Sequence, residues 1–256
     1  MQIIKDKNST YFVPSHSLLL PKNNKEQQQL SQNFDIEYWS KQEQIVGESV
    51  GRNITYFVKS ELSDMPWVLR HYYRGGLIAK LIKDRYLFSS LENTRVYKEM
   101  ALLEKMIDLD LPVPKPIGGK IQVNGLFYRA DLMMEKISAQ DLVALLKSAP
   151  LSEKTWKLIG TTIADFHNQG VYHSDLNAHN IMLDNMDSIQ GSDNKVWLID
   201  FDQCEIREKA SSWQQDNLNR LKRSFEKEKN INKQFYYSSK EWEYLINEYT
   251  RKLNMD

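Results

Sequence analysis

Three oxygen-bearing side chains stand at the ends of two short apolar runs. Asp175 and Asn180 precede Ile181 to Leu183, and Asp200 closes Val196 to Ile199. Between the runs lies a loop of Asn, Asp and Ser with Gly191, which reads as hairpin punctuation. The hairpin brings the loaded ends together. Phosphoryl transfer asks a protein to orient a hydroxyl nucleophile and to hold Mg²⁺ against nucleotide phosphates. That ion takes oxygen ligands, keeps several waters and needs only one or two carboxylates. An Asp and an Asn at adjacent strand ends meet that description.

The spacing His173-x-Asp175-Leu176-x-x-x-Asn180, followed by Asp200-Phe201, resembles the catalytic loop and metal motif of the protein-kinase-like superfamily. The resemblance implies Asp175 as base, Asn180 and Asp200 as metal ligands, and ATP and Mg²⁺ as cofactors. Departures from the pattern narrow the acceptor. Ser174 stands where regulated protein kinases carry the Arg that pairs with a phosphorylated activation loop, and Asn177 where Ser/Thr kinases carry a Lys. Asp202 replaces the Gly after Asp-Phe, as a second metal-facing carboxylate or, by preference, a turn residue. No Ala-Pro-Glu follows, so a peptide-docking groove is not expected.

The positioning elements follow in chain order. Residues 1–30 are polar and weakly patterned, with a short strand near Tyr11 to Val13 and then a loop, and Phe34 to Trp39 suggests a helical turn. Ile45 to Val58 reads as two strands joined by a glycine-bearing turn, with Gly47 and Gly51 keeping part of the phosphate-covering pattern of kinases. Trp67 to Tyr72 is the next strand. Arg70 stands where the resemblance places a phosphate-contacting Lys, and a guanidinium can also hold phosphate or carboxylate. A helix capped by Thr94 puts Val96, Met100, Leu103 and Ile107 on one stripe, with Glu99 inside it. A carboxylate there needs a cation, and Arg70 is the candidate. Strands Ile121 to Val123 and Phe127 to Met134 meet at Asn124-Gly125. Glu135 to Ser138, with Glu135 and Ile137 foremost, is the expected hinge whose backbone meets adenine. The expected boundary divides an N-terminal lobe, 1–137, from a C-terminal lobe, 138–256. Gln140 to Lys147 reads as a short helix. Ser152 opens a longer one with Trp156, Ile159, Ile163 and Phe166 inward, stopped by Gly170, and His167 beside its stripe is structural. A last charged helix, Trp213 to Lys229, buries Leu218, Leu221 and Phe225, and the final aromatics, 235–245, close the second core.

Composition sets outer bounds. Lys plus Arg and Asp plus Glu are each 34, so net charge is zero and bulk nucleic-acid binding is not expected. An anionic partner must meet local cations, and two groups offer them: Arg74, Lys80 and Lys83 between strand and helix, and Arg220, Arg223 and Lys227 at helical spacing. Both groups are equally consistent with solvated helix faces. The single cysteine, Cys204, fits a buried thiol in a reducing compartment. Near the N-terminus no apolar run exceeds Leu18 to Leu20, far short of a signal or a membrane span.

Taken together, WVLRHYYRGGL (67–77), LPVPKPIGG, VYHSDLNAHNIML, WLIDFDQC and NLNRLKRSF resemble the bacterial kinases of 3-deoxy-D-manno-octulosonic acid (Kdo) in the lipopolysaccharide-kinase family, over most of residues 45–245. The implied fold is α+β and bilobal, protein-kinase-like, with a small antiparallel sheet lobe and a mainly helical lobe. The implied reaction is ATP-dependent phosphorylation of the Kdo 4-hydroxyl on a lipid A precursor, at the cytoplasmic face of the inner membrane, with peripheral membrane contact and no protein partner. A heptose kinase of the same family shares every catalytic residue. An atypical protein kinase and a non-catalytic scaffold, the latter motivated by Arg70 and Asp202, are the other readings.

Overall fold

Eight strands of the first half form one antiparallel sheet: β1 (Gln2–Asp6), β2 (Ser9–Val13), β3 (Ile45–Val50), β4 (Ile54–Val58), β5 (Trp67–His71), β6 (Tyr86–Leu87), β7 (Pro116–Asn124) and β8 (Phe127–Glu135). Their order is β1-β2-β7-β8-β5-β4-β3, with β6 on the far end of β8. The computed structural model describes residues 1–6, 9–50, 54–74, 84–184 and 195–255. The chain divides into two units, Met1–Glu104 with Pro114–Lys136 and Lys105–Val113 with Ile137–Asp256. The division therefore crosses the chain three times, where a single boundary after residue 137 was expected.

In the first unit alternation along the strands feeds two layers. On one face Tyr11, Trp67, Leu69 and Met133 pack with Leu30, Phe34 and Trp39 from α1 (Asn24–Asn33) and α2 (Ile36–Lys41). On the other, Phe12 meets Tyr97 of α3 (Arg95–Asp108) edge-on, with ring centres 5.3 Å apart. Close approach there depends on Gly119, where a Cβ would stand 2.5 Å from Met100 Sδ and 2.6 Å from Val96 Cγ2. The polar N-terminal stretch is more ordered than its pattern suggested. β1 pairs with β2, and α1 forms with one buried residue, Leu30, because Asn23 caps it by accepting from the Glu26 N–H. One apolar residue in ten carries no periodicity to read.

The second unit is mainly helical. It holds β9 (Ala139–Asp141), α4 (Leu142–Ser148), α5 (Glu153–Asn168), β10 (Val171–Tyr172), β11 (Ile181–Asp184), β12 (Val196–Leu198), β13 (Glu205–Ile206), α6 (Ser211–Ile231) and α7 (Ser239–Leu253). The helix expected from Gln140 begins at Leu142 instead. Gln140 and Asp141 pair with β11, and the Asp141 carboxylate caps α4 at the Ala144 N–H. Trp156, Phe225 and Tyr237 form an aromatic core, with the Phe225 and Tyr237 rings stacked at 4.8 Å. Among the final aromatics only part closes this core. Tyr237 and Leu245 are buried, whereas Tyr236 is 36% exposed.

Gly160 on α5 lies against the backbone of α7, where a Cβ would stand 2.3 Å from the Leu245 carbonyl oxygen. A carbonyl in a helix cannot swing aside, so the two helices would have to separate. Gly160→Ala should therefore lower stability by about 2–3 kcal/mol, read as a shifted urea midpoint. An unchanged midpoint would show that α7 is not held against α5.

Candidate active site

Asp175 lies in a loop fixed by a buried imidazole. The Asp175 N–H donates to His173 Nδ1 at 3.2 Å, and His173 Nε2 is 3.0 Å from the Ile199 carbonyl. A carbonyl only accepts, so Nε2 carries the proton and the ring is neutral. Burial pushes its pKa down in the same sense. Below it Phe201 presents its ring at 5.0 Å and stacks in turn on Phe166 of α5. One side chain thus ties the Asp175 loop to the residue before Asp200. The Asp175 carboxylate itself stays 56% exposed.

Helix α6 runs along this loop and touches it at regular intervals. Asn217 bonds both backbone groups of His173, accepting from its N–H at 3.2 Å and donating to its carbonyl at 2.9 Å. Arg220 NH1 reaches to 3.9 Å from Asp175. Ser224 Oγ accepts from the Ala178 N–H, and Glu228 meets His179 Nε2 at 3.2 Å. Positions 217, 220, 224 and 228 are i, i+3, i+7 and i+11, one face of a helix. The sequence reading grouped Arg220 with Arg223 and Lys227. Here Arg220 turns to Asp175 while Arg223 and Lys227 line an open groove of about 630 Å³ with Lys222, Asn219 and Asn230.

The metal-ligand candidates are placed by the strand ladder. Ile199 N–H donates to the Asn180 carbonyl at 3.0 Å, which brings Asn180 next to the Asp200 end of its strand. Asn180 is 8% exposed, and its Nδ2 donates to the Asp175 carbonyl at 2.9 Å. The amide is thereby oriented with Oδ1 as its remaining acceptor. Asp200 is exposed and adopts φ 64°, a left-handed backbone uncommon outside glycine that re-aims the chain at the strand end. No cluster of three or more His, Cys, Asp or Glu that could hold a metal occurs among the described residues. One carboxylate and one amide oxygen fit Mg²⁺, which takes its other ligands from phosphates and water. Asp202 serves the turn by its backbone: Cys204 N–H bonds to Phe201 O at 3.0 Å, Gln203 has φ 61°, and Ser174 Oγ donates to the Asp202 carbonyl. Cys204 is buried and accepts from the Ser174 N–H.

In the first unit the expected ion pair is present. Arg70 NH2 bonds both oxygens of Glu99, at 2.7 and 2.6 Å, and Tyr72 OH donates to Oε2 at 2.5 Å. Glu99 is 2% exposed, and the Arg70 guanidinium lies 4.9 Å over the Tyr72 ring. Gly47 is not in a turn. It sits inside β3 at a bulge in the pairing with β4, its Cα facing Phe57, and Gly51, Lys80 and Lys83 lie outside the described residues. Arg74 is engaged locally, with Nε on the Arg85 carbonyl at 2.6 Å and its guanidinium over Tyr86. The Glu135 N–H is taken by the Lys115 carbonyl, so only its carbonyl is left for an adenine. Ile137 begins the second unit's longer segment.

Sequence reasoning passed over Asn217, Ser224 and Tyr72. Asn217 had a signal, since it falls on the stripe of Leu218, Leu221 and Phe225 and is fully buried. The rule that exposed the need of Glu99 for a partner applies to it equally, a polar group on an apolar face.

The solved structure of WaaP in complex with acyl carrier protein superposes with a TM-score of 0.53 at 12% identity, covering 83% of this chain and 82% of that one. Fold and site together define a phosphotransferase of the protein-kinase-like class. The family model of the lipopolysaccharide kinase (Kdo/WaaP) family matches residues 36–249, and the chain belongs to that family. It is 49% identical over 205 residues to a 3-deoxy-D-manno-octulosonic acid kinase of Haemophilus influenzae, covering 78% of this chain and 83% of the relative. A kinase of the same name from Mannheimia succiniciproducens is 46% identical, with 84% and 89% covered.

Removing Arg70 leaves the buried Glu99 carboxylate without its guanidinium, a loss larger than the pair's own net worth. Arg70→Ala and Glu99→Ala should be non-additive in unfolding free energy, by about 1–3 kcal/mol. Strict additivity in the double-mutant cycle would contradict the coupling.

His167 is 1% exposed, with Nδ1 2.8 Å from Tyr249 OH, and burial lowers its pKa from 6.5 to about 4. As pH falls, the unfolded chain takes up the proton first. The stability is therefore whole above pH 6.5 and declines toward pH 4, by roughly 3 kcal/mol for this group. Urea unfolding between pH 7.5 and 4 should show that slope, and His167→Gln should flatten it. Equal slopes in both proteins would remove His167 as the cause.

Proposed function

We propose that this protein transfers the γ-phosphoryl group of ATP to the 4-hydroxyl of a Kdo residue on a lipid A precursor, at the cytoplasmic face of the inner membrane. The observation that carries the chemistry is the exposed Asp175 carboxylate on a loop whose backbone is bonded inward through His173, Asn217 and Ser224. The acceptor is supported by the 46–49% identity to kinases named for Kdo over most of both chains.

In this reading Asp175 accepts the hydroxyl proton as the oxygen forms its bond to the γ-phosphorus and the bond to the ADP oxygen breaks. Asn180 and Asp200 would hold Mg²⁺, and the ion would supply neutralisation of phosphate charge there. Arg70, kept in place by Glu99, binds phosphate. The Glu135 carbonyl and the Ile137 N–H receive the adenine. Arg220 supplies the cation that Asn177 lacks, since its guanidinium adjoins Asp175 and its Nε is buried with no acceptor among the described residues. Arg223 and Lys227 follow at about 4.5 and 10 Å along the helix axis, spaced to meet further anionic groups of a phosphorylated glycolipid.

Labelled ATP offered with a Kdo-bearing lipid, a heptose-extended core and a generic protein, each in detergent, should label the Kdo-lipid. Transfer to heptose alone or to protein alone would overturn the acceptor. Asp175→Ala should lower kcat by roughly 10²-fold or more with nucleotide binding retained, and Arg220→Ala should lower kcat with the KM for ATP little changed. A normal turnover in Asp175→Ala would remove the base.

A further inference from the structure

The two most exposed large apolar side chains among the described residues, apart in sequence, are neighbours in space. Leu126 is 73% exposed and Leu87 69% exposed. Leu87 pairs with Phe127 across β6 and β8, and the Phe88 N–H bonds to the Leu126 carbonyl at 2.9 Å. The turn between β7 and β8 has two residues, with φ +60° at Gly125 and none at Leu126. It is the II′ pattern, which needs glycine at its first position only. The second position is ordinarily polar and asks nothing of a leucine. Tyr86 and Tyr128 form the buried side of the same corner, so the exposed Leu87 and the half-buried Phe127 lie on the other side of the strands.

We propose that Leu87, Leu126 and Phe127 form the tip by which this protein enters an anionic lipid leaflet. The proposal rests on the lipid acceptor argued above, and it names the surface that meets the leaflet. Charge complementarity selects the occupant. Arg85 is exposed two residues before Leu87, and Arg129, 47% exposed, follows Phe127 on the same face. The nearby acids are engaged, Asp84 by Arg129 at 2.8 Å and by His71 at 3.4 Å, and Asp131 by His71 at 2.6 Å. Long cationic side chains around an apolar tip suit the boundary between headgroups and acyl chains. Shape points the same way. A convex turn of three side chains falls far short of the roughly 800 Å² per partner of a stable protein interface, whereas a fluid leaflet closes around it. No helix among the described residues is long and apolar enough to cross a membrane, so a shallow wedge of this kind would act without a span.

The test is cosedimentation of the full chain, without nucleotide or acceptor, with vesicles of phosphatidylethanolamine and phosphatidylglycerol or of phosphatidylcholine alone. The chain should bind the anionic vesicles, more weakly as salt rises, and bind phosphatidylcholine poorly. The double variant Leu87→Ser, Leu126→Ser should lose at least about tenfold in partition, with an unchanged melting temperature and unchanged turnover on detergent-solubilised acceptor. Arg85→Ser should reduce the salt dependence. Equal vesicle binding by the double variant, or none by the wild type, would overturn the tip. So would a dimer in light scattering that the leucine changes dissolve, which would make the surface a contact between copies. The detergent assay needs no leaflet, so a failure of the Kdo reading shows there and leaves the vesicle result standing.

Discussion

The neutral imidazole of His173 is the contact on which the site depends. It joins two backbone segments far apart in the chain, at the Asp175 N–H and the Ile199 carbonyl. An imidazolium could not accept from Asp175, and the other tautomer could not donate to Ile199. The low-dielectric pocket made by Phe201 and α6 removes the first by penalising the charge, and the Asp175 N–H and Ile199 carbonyl remove the second. Burial here acts as chemistry, choosing one protonation state and hence one geometry.

Helix α6 carries that geometry outward. Its contacts at Asn217, Arg220, Ser224 and Glu228 follow the loop from His173 to His179, so the helix pitch sets where Asp175 stands. The amide of Asn217 bonds to His173 much as a neighbouring strand would, and burying it without those bonds would be costly. Because α6 also presents Arg223 and Lys227, one rigid element relates Asp175 to cations a turn or two away.

The first unit solves a similar problem with charge. Glu99 is buried on α3 and tolerated because Arg70 and Tyr72 reach it together from β5 and the residue after it. Gly119 lets α3 settle close enough to the sheet for that reach. Replacing a catalytic-type lysine with arginine keeps a permanent charge and adds a planar group that also stacks on Tyr72.

The sequence by itself determined the chemistry and the coarse fold. HxDLxxxN with a following Asp-Phe marked the loop that the fold brings together, and the stripe around Glu99 called for Arg70. Those features are local in the chain or follow from one periodicity. Tertiary structure decided which cations go where. Arg220, Arg223 and Lys227 share a spacing, yet only Arg220 turns to Asp175, because that choice depends on what lies against each side of α6. It decided also that Gly47 serves a strand bulge, that a polar stretch with a lone Leu30 forms a helix, and that Leu87 and Leu126 meet. Strand pairing between segments far apart in sequence leaves no periodic trace, so their meeting becomes visible only in the folded chain.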